Sequence, residues 1–266
     1  MKIIKTILIF CCLFFIEAKE IKAFESKNEV YNLLSKIYSS RTFKETLRKK
    51  YQSSTHLELY INYTTDILQN ESVINSLTNY IYENKSLLKN NPNLAAEFGA
   101  QWAISNALRG ITRLSDEDQR FFLKMGLFQI SVLSDADCKK IAVEDLSNTE
   151  MQNLEIEALN IAPKLLVEEY LRIMKRATYA EINDSPLKRT LNVSENEIAE
   201  ATFVENYSAA IDKHDDYEKI IEAAINPALS EDYYVCKNMK ILFQSLLDAP
   251  GITGTLAIRQ LISQMY

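Results

Sequence analysis

Residues Leu114 to Leu146, LSDEDQRFFLKMGLFQISVLSDADCKKIAVEDL, decide the fold class. Ser115 is a hydroxyl N-cap, and Asp116, Glu117 and Asp118 follow where the positive end of a helix dipole favours acids. At helical periodicity, Phe121, Met125, Phe128 and Val132 form one stripe, while Leu123, Leu127 and Ile130 lie nearly opposite. Only Arg120, Lys124 and Ser131 remain as a narrow wet strip. A helix apolar on most sides needs other helices to cover it. Ser134 then caps a second helix, which carries Cys138.

The chain on either side reads the same way. Five glycines and five prolines in 266 residues are too few for the frequent turns of an all-β fold. Leu57, Tyr60, Ile61, Thr64 and Leu68 follow one helical stripe, and Ile74, Leu77, Ile81 and Leu88 another. Asn90-Asn91-Pro92 closes this Tyr- and Asn-rich region of about four short helices. Ala95, Ala96, Gly99, Ala100 and Ala103 then let a neighbouring helix approach closely, which predicts a pairing with the Ser115 helix. Ser147 and Glu150 form a capping box for a helix running to about Asn183, where Pro163 predicts a kink or two abutting helices. After the Ser185-Pro186 break, Ser194 is the expected cap of the next helix, and three more follow to the C-terminus. The expectation is an all-α, irregular multi-helix bundle of about ten helices. Residues 24–91 are an N-terminal helical segment packed as one domain with a core at 92–266.

Residues 1–23 give the address. Lys2 and Lys5 precede an apolar run from Thr6 to Ile16, and small residues follow at Ala18 and Ala23. This order is that of a secretory signal peptide, with cleavage near Ala23 the preferred site. The run is too short to cross a bilayer well, and Cys11 and Cys12 lack the small preceding residue of a lipidation signal. Removing residues 1–23, with four lysines and two glutamates, leaves 26 basic and 34 acidic side chains, a net charge of −8. Such a chain is a poor binder of nucleic acid, whose phosphates demand Lys and Arg. Beyond residue 23, Cys138 and Cys236 are the only cysteines. In an oxidising compartment they read most economically as one disulfide, with two separate buried thiols as the competing reading.

Candidate chemistry is sparse. Asp212, His214 and Asp216 are ligand-type residues, but they match no compact metal motif and Lys213 stands among them. The alternative is a solvated acidic turn in which Asp215 or Asp216 caps the next helix. With His56 and His214 the only histidines and no Gly-x-Ser-x-Gly elbow, a Ser or Cys hydrolase is disfavoured. Glu97, between Ala96 and Phe98, is the carboxylate best suited to a raised pKa and so to glycan cleavage, or else an exposed first-turn acid. Gly251-Ile252-Thr253-Gly254-Thr255 precedes a helix but lacks the lysine of a phosphate-binding loop. Arg109 and Arg113 either hold an anion or neutralise helix-end carbonyls and acids. No cofactor is expected.

The run Gly110-x-x-Arg113-Leu114-Ser115-Asp116-Glu117, with Cys138 and Cys236, resembles uncharacterised secreted helical proteins of proteobacteria over residues 94–262. The resemblance implies a helical fold and a periplasmic address, and brings no activity. The leading expectation is a non-catalytic exported protein that contacts another periplasmic or envelope protein, through the Tyr-rich N-terminal helices. The rival is a helical cell-wall glycan hydrolase or metal-dependent hydrolase.

Overall fold

In the computed structural model the described residues are 25–91 and 95–265, the side chains of 89, 90, 95–97, 148 and 149 excepted. The signal-peptide expectation for residues 1–23 falls outside them. The described residues form fourteen α-helices and no strand, which is the all-α multi-helix architecture. They are α1 (Lys27–Tyr38), α2 (Arg41–Lys50), α3 (Leu57–Leu68), α4 (Glu71–Glu83), α5 (Lys85–Asn90), α6 (Ala95–Ile111) and α7 (Asp116–Val132), followed by α8 (Asp135–Ala142), α9 (Asn148–Ile161), α10 (Lys164–Ile182), α11 (Val193–Ile211), α12 (Tyr217–Ile225), α13 (Asp232–Asp248) and α14 (Gly251–Gln264).

Caps explain most of the boundaries. Ser115 Oγ accepts from Asp118 N at 3.2 Å, and Ser134 Oγ from Asp137 N at 3.1 Å. The Ser147 box is complete, because Glu150 Oε2 also accepts from Ser147 N at 2.9 Å. Pro163 separates two abutting helices, α9 and α10. One cap differs from expectation. α11 starts on Asn192, whose Oδ1 accepts from Glu195 N while Glu195 Oε2 accepts from Asn192 N, so Ser194 lies inside the helix. Asn192 and Glu195 form the reciprocal pair, in place of Ser194 and Glu197 two residues on.

The helices group into two compact units, and the chain passes between them more than once. One unit takes its described residues from Phe10–Gly110 and Ala162–Pro186, so α10 returns to the N-terminal helices. Its core stacks Tyr51 on Tyr60, with ring centroids 5.0 Å apart, and packs Tyr38 against Phe43. α10 is tied to α3 by Lys175 and Asp66 at 2.7 Å, and by Tyr179 Oη donating to Asp66 O. Tyr38, Tyr51, Tyr60 and Tyr63 are all buried and build the core, whereas Tyr31, Tyr80 and Tyr82 stay part-exposed. Their rings carry large apolar area, and burying it outweighs leaving it wet.

The other unit is Ile111–Ile161 with Leu187–Tyr266. Here α13 packs against α7, α8, α11 and α12, and α14 against α7 and α11. Phe122, Met125 and Ile130 of α7 are fully buried, with Lys124 and Ser131 exposed as the strip predicts. α6 belongs to the first unit as far as Gly110, and α7 to this one. Cys138 on α8 and Cys236 on α13 have Sγ atoms 2.11 Å apart, closing a separation of 98 residues. No helix among the described residues is long and apolar enough to cross a membrane.

Two outcomes test this packing. Intact mass before and after alkylation should show no free thiol, and replacing Cys138 and Cys236 together by Ser should cost roughly 4–5 kcal/mol, the chain-entropy value for such a loop. A Cβ at Gly110 would meet the Ala177 carbonyl oxygen at 1.8 Å. Ordinary helix propensity would make Gly110→Ala stabilising by about 1 kcal/mol. Here denaturant unfolding should show a loss of about 2–3 kcal/mol instead, because a backbone must move.

Candidate functional site

The residues singled out in the sequence are placed apart. Asp216 stands at the start of α12, and Lys237 Nζ donates to its Oδ1 and Oδ2 at 2.6 and 2.8 Å. Its carboxylate therefore neutralises a lysine on α13 instead of bonding the first-turn amides. Asp212 is exposed, and His214 is half-buried beside a cleft of about 390 Å³ shared with Lys213, Lys240 and Asp248. Two lysines on that cleft repel a cation. Among the described residues no group of three His, Cys, Asp or Glu side chains is placed to hold a metal. Glu97 lies on α6, with its side chain outside the described residues.

The other motifs have structural employment. Arg109 pairs with Glu181 at 3.2 Å. The glycine pair before the last helix serves geometry. Gly251 has φ +55°, and a Cβ at Gly254 would strike the Ala249 carbonyl oxygen at 2.2 Å. Thr253 and Thr255 spend their hydroxyls on Pro250 O and Gly251 O.

A different feature emerges on α12, YEKIIEAAI, which is apolar on two faces. Ile220 and Ala223 are buried, and α13 covers the helix on one side. Tyr217, Ile221 and Ile225 recur every fourth residue, a spacing that keeps them on one row of the helix surface. They are 43%, 41% and 77% exposed. Leu229 in the following turn and Tyr233 at the start of α13 are exposed as well. Acids rim it, with Asp215, Glu218, Glu222 and Glu231 all exposed. Lys219 is drawn away from the row, with its Nζ 4.9 Å from the Tyr234 ring centroid and 3.8 Å from Glu231. Sequence periodicity held a signal for this face, since a nine-residue helix with apolar residues in two directions needs two partners.

The Asp216–Lys237 pair has a pH signature. Hydrogen bonding to Lys237 holds the Asp216 carboxyl below its ordinary 3.8, and the same bond raises the Lys237 ammonium above 10.5. A depressed carboxyl contributes stability above its unfolded pKa and loses it as pH falls through the folded value. The raised lysine contributes below its unfolded pKa and loses it as pH rises through the folded one. Asp216→Asn should therefore flatten both limbs of the unfolding midpoint against pH, measured by urea titration, with the acid limb below pH 3.8 the more accessible. No protein-family model, curated protein or solved structure matches the chain.

Proposed function

We propose that the protein is a non-catalytic, exported helical protein that works by binding another protein of the periplasm or envelope. The uncovered row Tyr217, Ile221 and Ile225 on α12 carries this reading. Exposed apolar side chains in a row, rimmed by polar ones, mark contact surfaces, whereas isolated ones do not. Covering Ile225, 77% exposed, approaches the about 1.5–3 kcal/mol of a fully buried side chain, and covering Ile221, 41% exposed, is worth under half of it. The acidic rim sets the partner's chemistry: apolar anchors flanked by Lys or Arg fit, whereas a second copy would bring like charges together. The leader-like N-terminus and the Cys138–Cys236 pair support export, since oxidising compartments favour such bridges.

The rival hydrolase requires two placed carboxylates or a metal ligand set. Of its candidate residues, Asp216 is committed to Lys237, and the Glu97 side chain lies outside the described residues.

A photo-crosslinking residue at Ile225 in the protein expressed in its own cells should yield one dominant heterologous adduct. The same residue at exposed Glu58, on α3, should not, and Ile221→Asp should reduce the adduct at least several-fold without lowering the unfolding midpoint. An adduct from both positions alike, or none from Ile225, would end the proposal.

A further inference from the structure

The chain between α10 and α11 holds a different feature, independent of the α12 face. Residues 183–190, NDSPLKRT, are all exposed, and from 187 to 192 the chain belongs to no helix or turn. The sequence explains this. Pro186 cannot donate a main-chain hydrogen bond and pushes the residue before it out of the helical region, so α10 ends ahead of it. The Asn192–Glu195 capping box then fixes where α11 begins. Among the described residues, 187–190 make no main-chain hydrogen bond. Leu187 is 82% exposed.

Lys188 and Arg189 sit at the centre of this stretch. Among the described residues every other lysine and arginine lies on a helix, save Arg113 and Lys213. Arg113 is half-buried in the turn before α7, and Lys213 stands in a tight turn where His214 N donates to Ile211 O. Lys188 is exposed, and Arg189 makes part-exposed ion pairs with Glu195 at 3.1 Å and Asp116 at 4.0 Å. Pairs of this kind hold a side chain weakly.

We propose that Lys188-Arg189 is a processing site for an endoprotease specific for lysine and arginine. Such an enzyme holds its substrate as an extended strand through main-chain hydrogen bonds, and takes one cationic side chain into a pocket with a carboxylate at its base. This stretch offers both without unfolding, whereas cations on helices need a local opening first. Water adds across the peptide bond after Lys188 or after Arg189, leaving a carboxylate on one side and an ammonium on the other. The two pieces stay together. Cys138 falls in the first and Cys236 in the second, so their bridge crosses the cut. Asp116 and Arg259, also on opposite sides of it, pair within the C-terminal unit. α7 and α8 of one piece remain packed against α13 of the other. The product is a two-chain, disulfide-linked protein.

The full chain is recovered from its own cells, with protease inhibitors present at lysis, and its intact mass is measured before and after thiol reduction. The expected result is one species, heavier than the uncut chain by one water, which reduction splits into a piece ending at Lys188 or Arg189 and the remainder through Tyr266. Lys188→Gln with Arg189→Gln should leave a single chain with an unchanged unfolding midpoint, since both side chains are exposed. Brief trypsin treatment of the folded, uncut chain should cut at this pair about tenfold or more faster than at any helical site. A chain that reduction leaves whole, a cut at other residues, a double variant still cut here, or trypsin preferring a helical site would each overturn the proposal.

Discussion

Arg259 is the interaction on which the C-terminal unit depends. It is 6% exposed, and a guanidinium that deep persists only if its donors are met. They are met by Asp116 Oδ1, reached from both Nε and Nη2, and by the carbonyls of Thr112 and Leu114. Gln119 Nε2 takes the Ile111, Thr112 and Leu114 carbonyls from the other side. The turn leading from α6 into α7 leaves carbonyls that its own helices cannot satisfy, and two side chains close the account. Since Arg259 lies on the last helix and Asp116 on the first full helix of the unit, one buried cation joins its two ends. Removing it would take donors from the Thr112 and Leu114 carbonyls and leave part-exposed Asp116 with only Arg189, 4.0 Å away.

The same logic recurs more weakly elsewhere in the unit. Arg120 donates to the carbonyls of Leu247 and Ala249, capping α13 from α7, and Lys139 reaches Ser230 O and Asp232. Together with Cys138–Cys236, these contacts hold α13 against α7 and α8. α12 is held chiefly through α13 and the Asp216–Lys237 pair, which leaves its outer row uncovered. The proposed contact surface thus follows from where the scaffold stops.

Much of the fold was legible in the chain. The Ser115, Ser134 and Ser147 caps, the Pro163 break and the polar strip at Lys124 and Ser131 are local patterns. They depend on residues within about four positions of one another, and so survive without knowledge of tertiary neighbours. The candidate sites were far less legible. Asp216 looks like a cap or a ligand until Lys237, 21 residues on, is seen beside it. The tyrosines of the N-terminal helices suit a surface or a core equally well until Tyr51 and Tyr60 are seen stacked inside.

By itself, then, the sequence determined an all-helical chain, the ends of most helices and the single cysteine pair available beyond residue 23. Those follow from periodicity, capping chemistry and counting. Only the tertiary structure decided that the chain alternates between two units at Gly110, Ala162 and Pro186, and that Gly110 is required by the backbone of Ala177. It also decided which face of α12 stays uncovered. Each of these turns on contact between segments distant in sequence, and local propensity carries no information about which segments will meet.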